Sequence, residues 1–110
     1  MGERIEFDRD WSKVVTDQQT QTTRPLHWYQ RYQEKIGIKV RVVPPNPNLP
    51  VHYIMLTDVI KTTLHEVASN DEYYVREGCS SGEQFEKGWS LDHGSFDPTQ
   101  EVCVLRFVRV

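Results

Sequence analysis

Gly78-Cys79-Ser80-Ser81-Gly82 matches G-x-S-x-G, the spacing that lifts a serine nucleophile onto a strand-to-helix elbow. It follows a segment with strand character, and Asp92 and His93 come later in the chain. The elbow needs a helix directly behind it and a larger scaffold than 110 residues provide. Adjacent Asp92 and His93 are also badly placed for successive triad roles. A Gly/Ser-rich turn is the simpler account.

The four histidines are His27, His52, His65 and His93. No two of them sit four apart on one helix, and His65-Glu66 lacks the second histidine of H-E-x-x-H, so no metal ligand set is expected. Cys79 and Cys103 lie 24 positions apart, without metal-ligand spacing and too few for a disulfide scaffold. Two reduced thiols are expected, with Cys103 filling the core of an apolar strand. No cofactor is implied.

Phosphodiester chemistry needs a base, an acid and a cation, which His27 or His93 with Arg31, Arg41 or Glu66 would supply. Most chains of this size contain such a set, so a ribonuclease-like hydrolase is an alternative reading only. Single-stranded nucleic-acid binding is another. Arg31 and Lys35 are four apart on one helix, Lys39 and Arg41 share one strand face, and Trp28 and Tyr29 are nearby in sequence. Cations beside stacking rings suit single strands. Against it stand a net charge of −3 and the bland alternative of a solvated face. A third group, Trp89, Asp92, His93 and Phe96 with Phe85 and Asp97, has the composition of a protein recognition surface. The same rings would equally close over a sheet as a small core.

The elements that must position these residues are clearest at 25–43. Leu26, Tyr29, Tyr32 and Ile36 share one helix face, Pro25 suits the first turn, and Gly37 suits the stop. The period then becomes two, with Ile38, Val40 and Val42 opposing Lys39, Arg41 and Val43. Four prolines in 44–50 make a stiff connector, the loop of a wide hairpin into a strand at 51–56. Ile5 and Phe7 mark a short edge strand, and Trp11, Val14 and Val15 a turn of helix or another short strand. Residues 17–23 read as a polar loop, 58–70 as helix in preference to strand, and 72–77 as strand. Residues 78–84 read as loop, and 85–99 as an ordered loop closed by its own aromatics. The alternating apolar run 102–110 is expected to be central in the sheet.

The expected architecture is a single α+β domain, 1–110. Its mainly antiparallel sheet has about four or five strands, with one or two helices on one face. With 37% hydrophobic and 26% charged residues the composition is that of a globular domain. No apolar run reaches membrane-spanning length, and the charged N-terminus is unlike a signal peptide, which points to a cytoplasmic protein.

Charge is unevenly spread. Residues 24–57 carry five cations against one acid, and residues 58–101 carry ten acids against three cations. A charge-polarised surface suits contact with a protein partner or a second copy. The leading expectation is therefore a non-catalytic binding protein acting through Trp28, Arg31, Lys35, Lys39, Arg41, Trp89, Asp92, His93 and Phe96. A small-ligand carrier would instead need an apolar cavity.

Overall fold

A computed structural model describes residues 4–7 and 11–110. Five strands form one sheet: β1 (Arg4–Glu6), β2 (Gln21–Pro25), β3 (Lys39–Val43), β4 (His52–Thr63) and β5 (Glu101–Arg109). They lie in the order β1-β3-β4-β5-β2; β1 runs parallel to β3, and the other pairings are antiparallel. The expected α+β domain with a mainly antiparallel sheet is what the chain forms. The apolar terminal strand β5 sits inside the sheet between β4 and β2, and Val102 to Leu105 are fully buried.

Helical segments pack on both faces. On one, α1 (Trp11–Val15), a 3-10 turn (Leu26–Trp28) and α2 (Tyr29–Gln33) meet Val40, Val42, Ile54, Leu56, Leu105 and Phe107. On the other, α3 (Leu64–Ser69), α4 (Asp71–Tyr74) and α5 (Gly82–His93) meet Val102 and Val104. Strand alternation assigns odd-numbered β5 residues to the first core and even-numbered ones to the second. Each fully buried aliphatic side chain contributes roughly 1.5–3 kcal/mol, so both faces stabilise the sheet.

The helix expected over 25–36 is shorter: Pro25 ends β2, and regular helix stops at Gln33. Gly37 still marks the turn, at φ 83°. The proline connector is the hairpin loop between β3 and β4, as expected, and Asn46 Oδ1 accepts from Asn48 N at 2.9 Å within it.

Four local readings are corrected. Residues 21–25 are strand, because Gln21, Thr22 and Thr23 are buried by hydrogen bonding and not by apolar character. Residues 58–63 continue β4 past a bulge at Leu56/Asp58, and helix begins only at Leu64, where Thr63 Oγ1 accepts from Glu66 N at 3.3 Å. The β-branched run therefore prevails over the helical spacing up to the cap.

Residues 71–74 are helix, capped by Asn70 accepting from Glu72 N at 3.0 Å. Residues 82–93, read as loop, are the longest helix. Ser81 caps it by accepting from Gln84 N, and Gly94 ends it in the left-handed region at φ 88°. Phe85 and Trp89, four apart, form its buried face. The nucleophile motif thus follows helix and turn, not strand, which removes the context an elbow requires.

Candidate functional site

A cleft of about 420 Å3 opens where α5 lies against β2, the turn after α4, and α1. That volume falls within the roughly 300–1,000 Å3 usual for small-ligand pockets. Its walls differ in chemistry. Phe85 and Trp89 of α5 supply rings, Thr22 and Thr23 of β2 with Glu77 supply polar groups, and Lys13, Gln84, Lys87, Leu91, Asp92 and His93 also line it.

Glu77 is buried at 8% exposure and joins the helical layer to the sheet. Its Oε1 accepts from Thr23 N at 3.1 Å, and its Oε2 from Gln21 Nε2 at 2.7 Å and Thr23 Oγ1 at 3.1 Å. Gln21 extends the network: its Nε2 also donates to Tyr73 O at 3.1 Å, and its Oε1 accepts from Arg106 Nε at 3.1 Å. Arg106 in turn lies 5.0 Å over the Tyr73 ring. Lys13 Nζ donates to Gly78 O at 3.1 Å, holding α1 against the turn that follows Glu77. Side-chain placement along this polar wall is therefore set by hydrogen bonds.

The ring wall comes from α5. Trp89 stacks on His93 with centroids 3.9 Å apart and planes at 27°, and Phe85 lies 6.4 Å from Trp89. Trp89 is 5% exposed, and its indole N–H is buried without a hydrogen-bond partner. A buried unpaired N–H costs roughly 1–3 kcal/mol.

The nine residues singled out from sequence fall into three groups. Trp89, Asp92 and His93 line the cleft, while Phe96 packs edge-on against Phe85 at 6.5 Å in the core behind it. Trp28 packs in the first core with Arg31 5.4 Å over its ring, and Lys35 follows α2 on that same side. Lys39 and Arg41 alternate with buried Val40 and Val42, so they face the opposite side of the sheet. The basic stripe is thus divided between two faces, and Trp28 is not beside Lys39.

The two histidines of the candidate acid–base set lie on opposite sides of the sheet. His27 lies against Trp28 at 5.0 Å on the α2 side, whereas His93 is on the α5 side. Glu66 accepts from Asn70 Nδ2 at 3.0 Å across the end of α3. Among the described residues no group of three His, Cys, Asp or Glu side chains has metal-site geometry. Burial pushes the Cys103 thiol up to about 11.

Lys13, Thr22, Thr23, Glu77, Gln84 and Lys87 complete the cleft and were not singled out from sequence. Glu77 is one of ten acids in the acidic half, and nothing local marks it as buried. Ser81-Gly82-Glu83-Gln84 carries an S-x-x-Q capping signature that places α5, and with it the ring wall.

No known family model matches the chain, and no curated protein matches it. Solved structures do resemble it. The ASCH domain from Lactobacillus crispatus superposes with a TM-score of 0.67 at 14% identity, over 97% of this chain and 79% of that one. The fold is that of an ASCH domain. Protein EF3133 of Enterococcus faecalis, of the DUF984 family, gives a TM-score of 0.64 at 20% identity, over 93% of this chain and 67% of that one. At these identities the likeness establishes the ASCH fold. Within that fold, no helix among the described residues is long and apolar enough to cross a membrane.

Proposed function

We propose that this ASCH-fold protein binds single-stranded nucleic acid and takes one base into the cleft between α5 and β2. The observation that carries this reading is a cleft of about 420 Å3 lined by hydrogen-bonding groups and by Trp89, whose buried indole N–H has no partner. A nucleobase is flat and carries ring-nitrogen or carbonyl acceptors on its edge, so it matches a ring wall facing polar groups. Lys87, exposed at the cleft, has the charge to meet an attached phosphate, and Lys13 adds a second cation to the lining. The fold supports the same reading, since ASCH domains are PUA-like, a class often implicated in RNA binding.

The protein-partner reading drawn from charge asymmetry has less support. Cations of the basic segment are divided between the two faces of the sheet, which weakens the case for one polarised docking surface.

The test is fluorescence anisotropy of a labelled single-stranded oligoribonucleotide with the wild-type protein, Trp89→Phe and Lys87→Gln. Trp89→Phe keeps an aromatic ring and removes the N–H, and it weakens binding by roughly tenfold, the size of one hydrogen bond. Lys87→Gln lowers the salt dependence of binding. Absence of binding, or binding unchanged in both variants, overturns the proposal.

A further inference from the structure

On the side of the sheet that carries α3, α4 and α5, the helices cover only part of the surface. Along β5 the even positions grade from cover to exposure. Val104 is fully buried, Arg106 lies at the margin over Tyr73, and Val108 is 45% exposed. Beyond that margin the face is lined by Met55 and Tyr53 of β4, Lys39, Arg41 and Val43 of β3, and Arg4 and Glu6 of β1.

The register makes this face chemically specific. Arg4 pairs directly with Arg41, and Arg41 directly with Tyr53, so the three side chains form one row across three strands. Lys39 is two residues from Arg41 on the same face, with its Nζ 4.3 Å over the Tyr53 ring. Arg4, Lys39 and Arg41 are all exposed, and none forms a salt bridge among the described residues. Neighbouring strands are about 4.8 Å apart, and like charges at directly opposed positions are unfavourable through their repulsion. An oxyanion bound by both removes that repulsion, and the planar fork of arginine suits phosphate oxygens.

We propose that this open half-sheet holds the phosphodiester backbone of a single strand, with Arg4 and Arg41 as a two-sided anion clamp and Lys39 as the next cation along. The inference rests on the reading that the ligand is a single strand, and adds a second contact surface to the cleft. The rival occupant, a second copy across a two-fold axis, fits less well. A self-complementary contact centred on this row would set these cations against their own copies.

The experiment compares wild-type protein, Arg4→Gln/Arg41→Gln and Arg4→Lys/Arg41→Lys. One probe is a labelled single-stranded oligomer titrated at several salt concentrations, and the other a nucleoside, which has no phosphate. Both positions are exposed, so the folded state is retained. In the Gln pair the oligomer binds more weakly, and the slope of log affinity against log salt falls by ~1.4, at ~0.7 for each lost phosphate contact. The Lys pair keeps most of the slope, because the charge is kept, and loses affinity with the planar fork. Nucleoside binding is the same in all three.

An oligomer bound with the same salt slope by wild type and the Gln pair overturns the clamp and leaves the cleft standing. Nucleoside binding without oligomer binding does the same. Loss of oligomer binding in the Gln pair, with no effect of Trp89→Phe, supports the clamp and overturns the cleft. Binding of neither probe overturns both.

Discussion

Glu77 grips Thr23 twice, accepting its backbone N–H on one carboxylate oxygen and its hydroxyl on the other, each at 3.1 Å. The two residues are 54 positions apart, and the contact fastens the turn after α4 to strand β2. This polar joint replaces apolar packing on a strand whose first three residues are Gln, Thr and Thr.

Glu77→Gln leaves one of the buried donors facing an amide NH2 in place of an acceptor. It is expected to lower unfolding stability by about 1–3 kcal/mol in urea denaturation. Thr23→Val removes the hydroxyl donor alone and is expected to cost about 1 kcal/mol. Because the residues share a network, the double variant is expected to cost less than the sum of the singles. Strict additivity would show that the joint is not a coupled unit.

Asp17 and Arg109 form a surface pair, with Arg109 Nη2 3.0 Å from Asp17 Oδ2 and Nε 3.1 Å from Oδ1. The side-chain hydrogen bond from Arg109, and then its charge, hold the Asp17 carboxyl below its ordinary 3.8. A depressed carboxyl stabilises the fold fully above its unfolded value, and that contribution is lost as pH falls through the folded one. Melting curves of wild type and Asp17→Asn are therefore expected to differ near neutral pH and to converge as pH drops below 3.8. Asn tolerates the left-handed φ of 62° at this position, so the variant reports on charge. A difference that persists undiminished in strong acid would contradict the assignment.

Burial holds the Cys103 thiol neutral, with its pKa pushed up to about 11, and its Sγ donates to Pro25 O at 3.5 Å. Iodoacetamide at pH 8 is expected to modify partly exposed Cys79 first in the native protein and Cys103 only on unfolding. Peptide mapping of the modified protein reads the order directly. Equal native rates would mean that β5 opens far more readily than its burial implies.

Two glycines separate close approach from backbone freedom. A Cβ at Gly82 would land on the Ala68 carbonyl oxygen, because the start of α5 rests against α3. Gly37 has open space around it but a φ of 83°. Gly82→Ala is expected to cost about 1–3 kcal/mol through forced backbone movement. Gly37→Ala is expected to cost about 1–2 kcal/mol through left-handed strain alone. Only the first is expected to weaken ligand binding, since α5 carries the ring wall of the cleft. Equal effects of both on binding would sever the link between helix position and site.

The sheet strands with an apolar period were legible. Burial in β3 follows the alternation of Val40 and Val42 with Lys39 and Arg41, whereas the apolar run of β5 is buried on both faces from Val102 to Leu105. Gly37 and the proline connector followed from backbone chemistry that needs no tertiary contact. The α5 helix was obscured by its two internal or terminal glycines, Gly82 and Gly88, although Ser81 and Gln84 carry a local cap signal. The ring group Trp89, Asp92 and His93 was recognised by composition, and the structure places it at a cleft.

What the chain order alone determined is the set of residues able to alternate, cap or turn, because those preferences act within a few positions. What only the tertiary structure decided is which polar groups lie buried, and against what. β2 is a strand because Glu77 and β5 satisfy its polar groups from far along the chain. Lys39 and Arg41 part from Trp28 because strand alternation turns them through the sheet, while the 3-10 turn and α2 pack on its other face. Arg4 meets Arg41 because a parallel pairing brings together residues 37 positions apart in a register that sequence spacing does not encode.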